Sequence, residues 1–205
     1  MKSLQSILSI FAVLTTNAVY GQGSGIVTFS NVGAAPADRI AVYEGGVQGY
    51  ASGTAYAIAL YWGNPAETDD RNMVQVGARA NFLTGASAGT FFGGGRTINT
   101  PGSTVNGPVL TFQARAWCTR GGTVTTYEQA LVSDVITGKG PIFLLDTKDP
   151  TNPLEVTPSV GQAPGWMGFY VMSLEGGHIC IPEPSTLALC ALGATALFLL
   201  RRRNR

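Results

Sequence analysis

The sequence predicts an all-β fold: a single β-sandwich ectodomain with one short helix, plus an N-terminal signal helix and a C-terminal transmembrane helix. Three observations carry this. Charged residues make up 12% of the chain against about 25% in an ordinary globular protein, and glycine accounts for 27 of 205 residues. With 45% apolar residues and so little charge, disorder is excluded. Apolar and polar residues then alternate through short segments separated by glycine and proline, the pattern of a sandwich. Finally, an apolar run lies next to basic charge at each end, leaving 163 residues between Gln22 and Pro184, about one domain.

The first 21 residues order themselves as a secretory signal: Lys2, an apolar stretch from Ile7 to Leu14, then polar Thr15, Thr16 and Asn17. Val19 and Gly21 are the small residues a signal peptidase reads, so cleavage is expected between Gly21 and Gln22, with Ala18 as the second choice. The apolar stretch is too short to remain as a spanning anchor.

The ectodomain, residues 22–176, opens with a strand over 25–31 that places Val27 and Phe29 on one face. Residues 38–46 form a second strand ending in a Gly-Gly turn. Over 54–63, Tyr56, Ile58, Leu60 and Trp62 share one face and Ala55, Ala57 and Ala59 the other, which describes a central strand covered on both sides. Residues 72–82 bring Val74 and Val76 into register, and 88–100 read as a hairpin turning at Gly93–Gly95. The clearest alternation is 107–118. Leu110, Phe112, Ala114, Ala116 and Cys118 face one way; Thr111, Gln113, Arg115 and Trp117 face the other. Thr125 followed by Glu128 has the form of a capping box and predicts a short helix over 126–132. Strands at 141–145 and 165–174 flank a long proline-rich loop. The predicted core includes Phe29, Ile58, Leu60, Leu110 and Phe112.

Little in the domain resembles catalytic chemistry. His178 is the only histidine and sits in a Gly-rich stalk, 177–181, so neither an ordinary triad nor an ordinary zinc site can be assembled. Cys118 shares an apolar face and reads as a buried, unactivated thiol. Export permits a Cys118–Cys180 disulfide. Cys180 falls in the stalk, however, and the reading leans against the bridge. The glycines of 91–97 lack the Lys-Ser/Thr of a phosphate loop. Acidic clusters at 64–72 and 146–155 lack the regular spacing of a calcium loop and read as solvated turns. Trp62, Trp117 and Trp166 could stack on a sugar ring, though tryptophans in a sandwich more often pack the core. No cofactor or metal is expected, and no enzymatic activity.

Charge narrows the partners. Without Lys2 and the four terminal arginines, 8 basic residues face 12 acidic ones, a net charge of about −4 with no basic cluster. Nucleic acid is therefore excluded as a partner.

The chain ends in Pro182-Glu183-Pro184, an apolar run and arginines. The 16 uncharged residues from Ser185 to Leu200 make a helix of roughly 24 Å, short against a hydrocarbon core of about 30 Å. Pro184 suits a first helical turn and Glu183 the positive end of the helix dipole. Arg201, Arg202 and Arg203 keep the tail cytoplasmic and the domain outside. The order of these parts, with the helix over about 184–200 and the basic tail 201–205, resembles the PEP-CTERM sorting signal of Gram-negative bacteria, covering residues 182–205. The resemblance implies recognition by an exosortase, a membrane-embedded, cysteine transpeptidase-like enzyme that removes the tail and passes the protein to the cell surface or matrix. It also implies an association with exopolysaccharide. A plain C-terminal anchor is the alternative reading of the tail. Two roles for the ectodomain follow as expectations: a non-enzymatic envelope or extracellular-matrix component, or a carbohydrate-binding module of the exopolysaccharide matrix.

Overall fold

A computed structural model describes residues 23–100, 103, 105–172 and 180. The expected signal segment with its cleavage point at Gly21 and Gln22, the stalk residue His178, the tripeptide Pro182–Pro184, the apolar run and Arg201–Arg203 lie outside the described residues. Among the described residues, no helix is long and apolar enough to cross a membrane.

The fold is all-β, with ten strands and one short α-helix among the described residues. Strand β1 (Gly23–Ser30) pairs antiparallel with β6 (Phe92–Thr100) in a small sheet. The larger sheet runs β3 (Val47–Tyr50), β2 (Ala41–Glu44), β10 (Tyr170–Met172), β8 (Thr137–Lys139), β7 (Val109–Cys118), β4 (Tyr56–Gly63) and β5 (Val74–Asn81). Strand β9 (Phe143–Asp146) pairs with the first half of β7, on the edge where β8 pairs with the second half. The two sheets pack in a sandwich-like arrangement of unequal halves.

Strand β4 is central, between β7 and β5, and buried on both faces as its alternation predicts. Tyr56, Ile58 and Leu60 join the main core, while Ala57, Ala59 and Tyr61 join a second cluster on the opposite face. All five predicted core residues are no more than 2% exposed. An aromatic series ties the main core together: Phe29–Phe91 at 4.6 Å, Phe91–Trp166 at 6.1 Å, Phe143–Trp166 at 5.9 Å and Phe112–Phe143 at 6.2 Å. Each such pair adds about 0.5–1.5 kcal/mol beyond simple area burial. The proline-rich loop is present and lies along β1, bridging Ile26 to Lys148 and Thr28 to Ser159.

Three expectations change. Gly93–Gly95 form no hairpin; β6 continues through them with a register shift at Gly93, Gly94 lying opposite Phe29 and Gly95 opposite Thr28. Gly93 serves close approach, because a Cβ there would lie 2.5 Å from Phe29 Cδ1, and Gly94 takes a left-handed φ of 76°. The helix forms as expected, as α1 (Tyr127–Val132), but its cap is one residue later. Thr126 Oγ1 accepts from the Gln129 N–H at 3.1 Å, and Gln129 Oε1 accepts from the Thr125 N–H at 2.8 Å. Glu128 is thereby free to turn toward the sheet. The third change is covalent: Cys118 is no free thiol but is disulfide-bonded to Cys180.

Strands β3 and β8 escape the sequence pattern because neither buries a residue: β3 is exposed along its length and β8 is half-buried or exposed. The β2–β3 turn does form at Gly45 and Gly46, whose φ values of 54° and 83° are left-handed and suit glycine.

Candidate functional site

The alternation of β7 delivers two different environments. On the Phe112 face everything is apolar. On the opposite face Gln113, Arg115 and Trp117 are also buried, at 3%, 6% and 0% exposure. Burying a guanidinium is tolerable only when its donors are satisfied. Arg115 Nε donates to Gln113 Oε1 at 2.8 Å, and Nη2 donates to the Asp70 carbonyl. Its plane stacks on Tyr61, with Cζ 3.8 Å from the ring centroid, and Nη1 lies 3.8 Å from Glu128 Oε1. The Tyr61 hydroxyl donates to the same Glu128 oxygen at 2.8 Å; burial, with this carboxylate second, pushes the phenol far above its ordinary range. Trp117 Nε1 donates to the Val124 carbonyl at 3.2 Å. Each of these polar groups has a partner within the domain, so the cluster locks α1 and the 70–73 turn onto the sheet.

The residues weighed for ligand chemistry fall out in the same way. Trp117 and Trp166 are buried, the latter donating from Nε1 to the Asp38 carbonyl at 3.2 Å, and Trp62 packs against the main core. Their ring faces are core surfaces, as the packing reading holds. In the acidic turn at 64–72, Asp69 caps its own turn and pairs with Arg71 at 2.7 Å. Arg71 holds the Asp69 carboxyl down to about 2, and Lys139, hydrogen-bonded to Asp70, lowers that carboxyl too. In the second cluster Glu155 accepts from the Asp149 N–H at 3.0 Å. Among the described residues, no group of three or more His, Cys, Asp or Glu is placed to hold a metal ion.

Two features of the surface remain. One is a shallow groove of about 230 Å³ lined by Pro36, Arg39, Ala41, Gln48, Tyr50 and Tyr170, among others. Ala41 sits opposite both Tyr50 and Tyr170 in the sheet, which puts the three on one face, with Tyr43 two positions on. These tyrosines are 45–49% exposed, around an alanine too small to separate them. Gln48 Nε2 donates to the Tyr170 hydroxyl at 3.2 Å, and the Arg39 guanidinium carbon lies 5.7 Å from the centre of the Tyr50 ring. Sequence reasoning missed this platform because it is built by strand order: β10 inserts beside β2, far from it in sequence.

The other feature is the point where the chain leaves the domain. Cys118 ends β7, and its bridge to Cys180 spans a sequence separation of 62. Cys180 is 7% exposed; its N–H donates to Glu44 Oε1 at 2.9 Å and its Sγ lies 3.1 Å from the Ala55 carbonyl oxygen. A disulfide sulfur has no proton, so this last approach is packing. The Tyr56 hydroxyl donates to the same Glu44 oxygen at 2.6 Å, and burial first, then this carboxylate, raises its pKa well above the usual phenol value.

Together these features define an all-β domain, disulfide-stapled at the residue from which a short apolar tail departs. Residues 181–203 match the PEP-CTERM protein-sorting motif, so the chain carries a PEP-CTERM sorting domain immediately after Cys180. The motif implies export, transit through the membrane and exosortase as the processing partner. No curated protein and no solved structure matches the chain.

Proposed function

We propose that this chain is an exported, non-enzymatic protein of the envelope or extracellular matrix, released from its membrane tail by an exosortase. The observation that carries the reading is the sorting motif at 181–203, set directly against a folded, disulfide-stapled domain. The domain's polar clusters support a non-enzymatic role. Arg115, Glu128 and the carboxylates of the acidic turns bond to their own scaffold and present no reacting group to a cleft.

The test separates sorting from plain anchoring. Replacing Pro182 and Glu183 with alanine leaves the apolar run and all four arginines in place, so insertion and orientation persist. The variant is expected to stay in the membrane with its tail, while the wild type sheds the tail. Identical fractionation of the two, both with tails, refutes processing.

A second reading, a carbohydrate-binding module, is favoured by the tyrosine platform. Tyr43, Tyr50 and Tyr170 offer apolar ring faces, and Arg39 and Gln48 supply polar groups at the edge. Calorimetry of soluble polysaccharides against the mature domain tests it. Tyr50→Ala or Tyr170→Ala is expected to weaken binding by about 1 kcal/mol, the scale of one aromatic contact. No binding to any polysaccharide of the producing cell rejects this role.

A further inference from the structure

We propose that the Cys118–Cys180 bridge restrains exosortase processing by holding the residue just before the sorting motif on the folded domain. The inference rests on the processing reading above. The motif begins at residue 181, so its N-terminal boundary is the bonded cysteine itself. Cys180 is held covalently to the end of the central strand β7, by a 2.9 Å hydrogen bond to Glu44, and by packing on Ala55. On the N-terminal side of Pro182, only Ile181 lies outside the buried anchor.

Reach makes the restraint concrete. Two residues, from Cys180 to Pro182, extend at most roughly 7 Å, less than the width of one helix with its side chains. An enzyme that holds Pro182 therefore works within roughly 7 Å of a residue that is bonded to Glu44 and packed on Ala55. Without the bridge, Cys180 loses its covalent hold and keeps only the hydrogen bond to Glu44 and the packing on Ala55. The bridge thus sets tether length, and tether length sets access.

The experiment compares rates of tail loss for the full chain in cells with an active exosortase, read by pulse labelling and intact mass. A flexible Gly-Ser segment of about eight residues, inserted between Cys180 and Ile181, lengthens the leash while leaving the bridge and the motif intact. This variant is expected to lose its tail severalfold faster than wild type, because a linker too short to span its sites suppresses the encounter. Cys180→Ser is expected to match it, and the same insertion in the Cys180→Ser background to add little more. The insertion variant keeps its disulfide, checked by non-reducing mass, so its faster processing cannot come from unfolding. Processing of the insertion variant at the wild-type rate overturns the proposal alone. Absence of tail loss in every variant, wild type included, overturns it together with the processing reading.

Discussion

The two faces of the larger sheet are built by different physics. Toward the small sheet, Ile58, Leu60, Leu110 and Phe112 meet Val27, Phe29 and Phe91 in an apolar core. On the other face Tyr61, Gln113, Arg115 and Trp117 are just as buried, yet they carry hydroxyl, amide, guanidinium and indole groups, each bonded to a neighbour. One face is held by exclusion of water and tolerates any tight apolar fit. The other is held by specific geometry, and its polar groups become costly as soon as a partner is lost. Burial alone therefore does not rank the residues of β7.

The comparison can be broken by substitution, beginning with the largest effect. Phe112→Ala opens a cavity between Phe143 and the rest of the core and is expected to lower stability by about 3–5 kcal/mol in denaturant titration. A cost under about 1 kcal/mol would mean that face is loosely packed. Removing the bridge with Cys118→Ser and Cys180→Ser frees a loop of 62 residues' separation and is expected to cost about 2–4 kcal/mol, read as a lower thermal midpoint. Arg115→Ala is expected to cost about 2–3 kcal/mol, since it strands Gln113 Oε1 and removes the stack on Tyr61. A surface-like value within about 0.5 kcal/mol would show that the polar face contributes nothing.

The smallest effect is with acid. Asp69 and Asp70 have folded pKa values below the unfolded 3.8, Asp69 at about 2. Their contribution is fully present above the unfolded value and is lost as pH falls toward 2. Asp69→Asn with Asp70→Asn is expected to lower stability slightly at pH 7 and leave it unchanged near pH 2, which flattens the profile between about pH 4 and pH 2.

Much of this was legible in the sequence. Period-two alternation located β1, β4 and β7 with the right inward faces, because long buried strands leave no freedom of register. The sorting tail was legible because its three parts are contiguous. What could not be read depends on distant residues meeting. Gln113 and Arg115 look like a solvent face until Tyr61, Gly140 and the Asp70 carbonyl supply their partners. Cys180 looks like linker until β10 brings the chain back past Glu44. The three glycines at 93–95 look like a turn, because sequence shows the missing Cβ but not the Phe29 ring that needs the space at Gly93 or the left-handed backbone at Gly94.

The central claim is that a folded domain is delivered by a tail it then loses, and intact mass of the mature protein from exosortase-active cells tests it most directly. The expected species begins at Gln22, lacks Arg201–Arg203 and gains two hydrogens on reduction of the Cys118–Cys180 bridge. A mature protein that keeps those arginines contradicts the account.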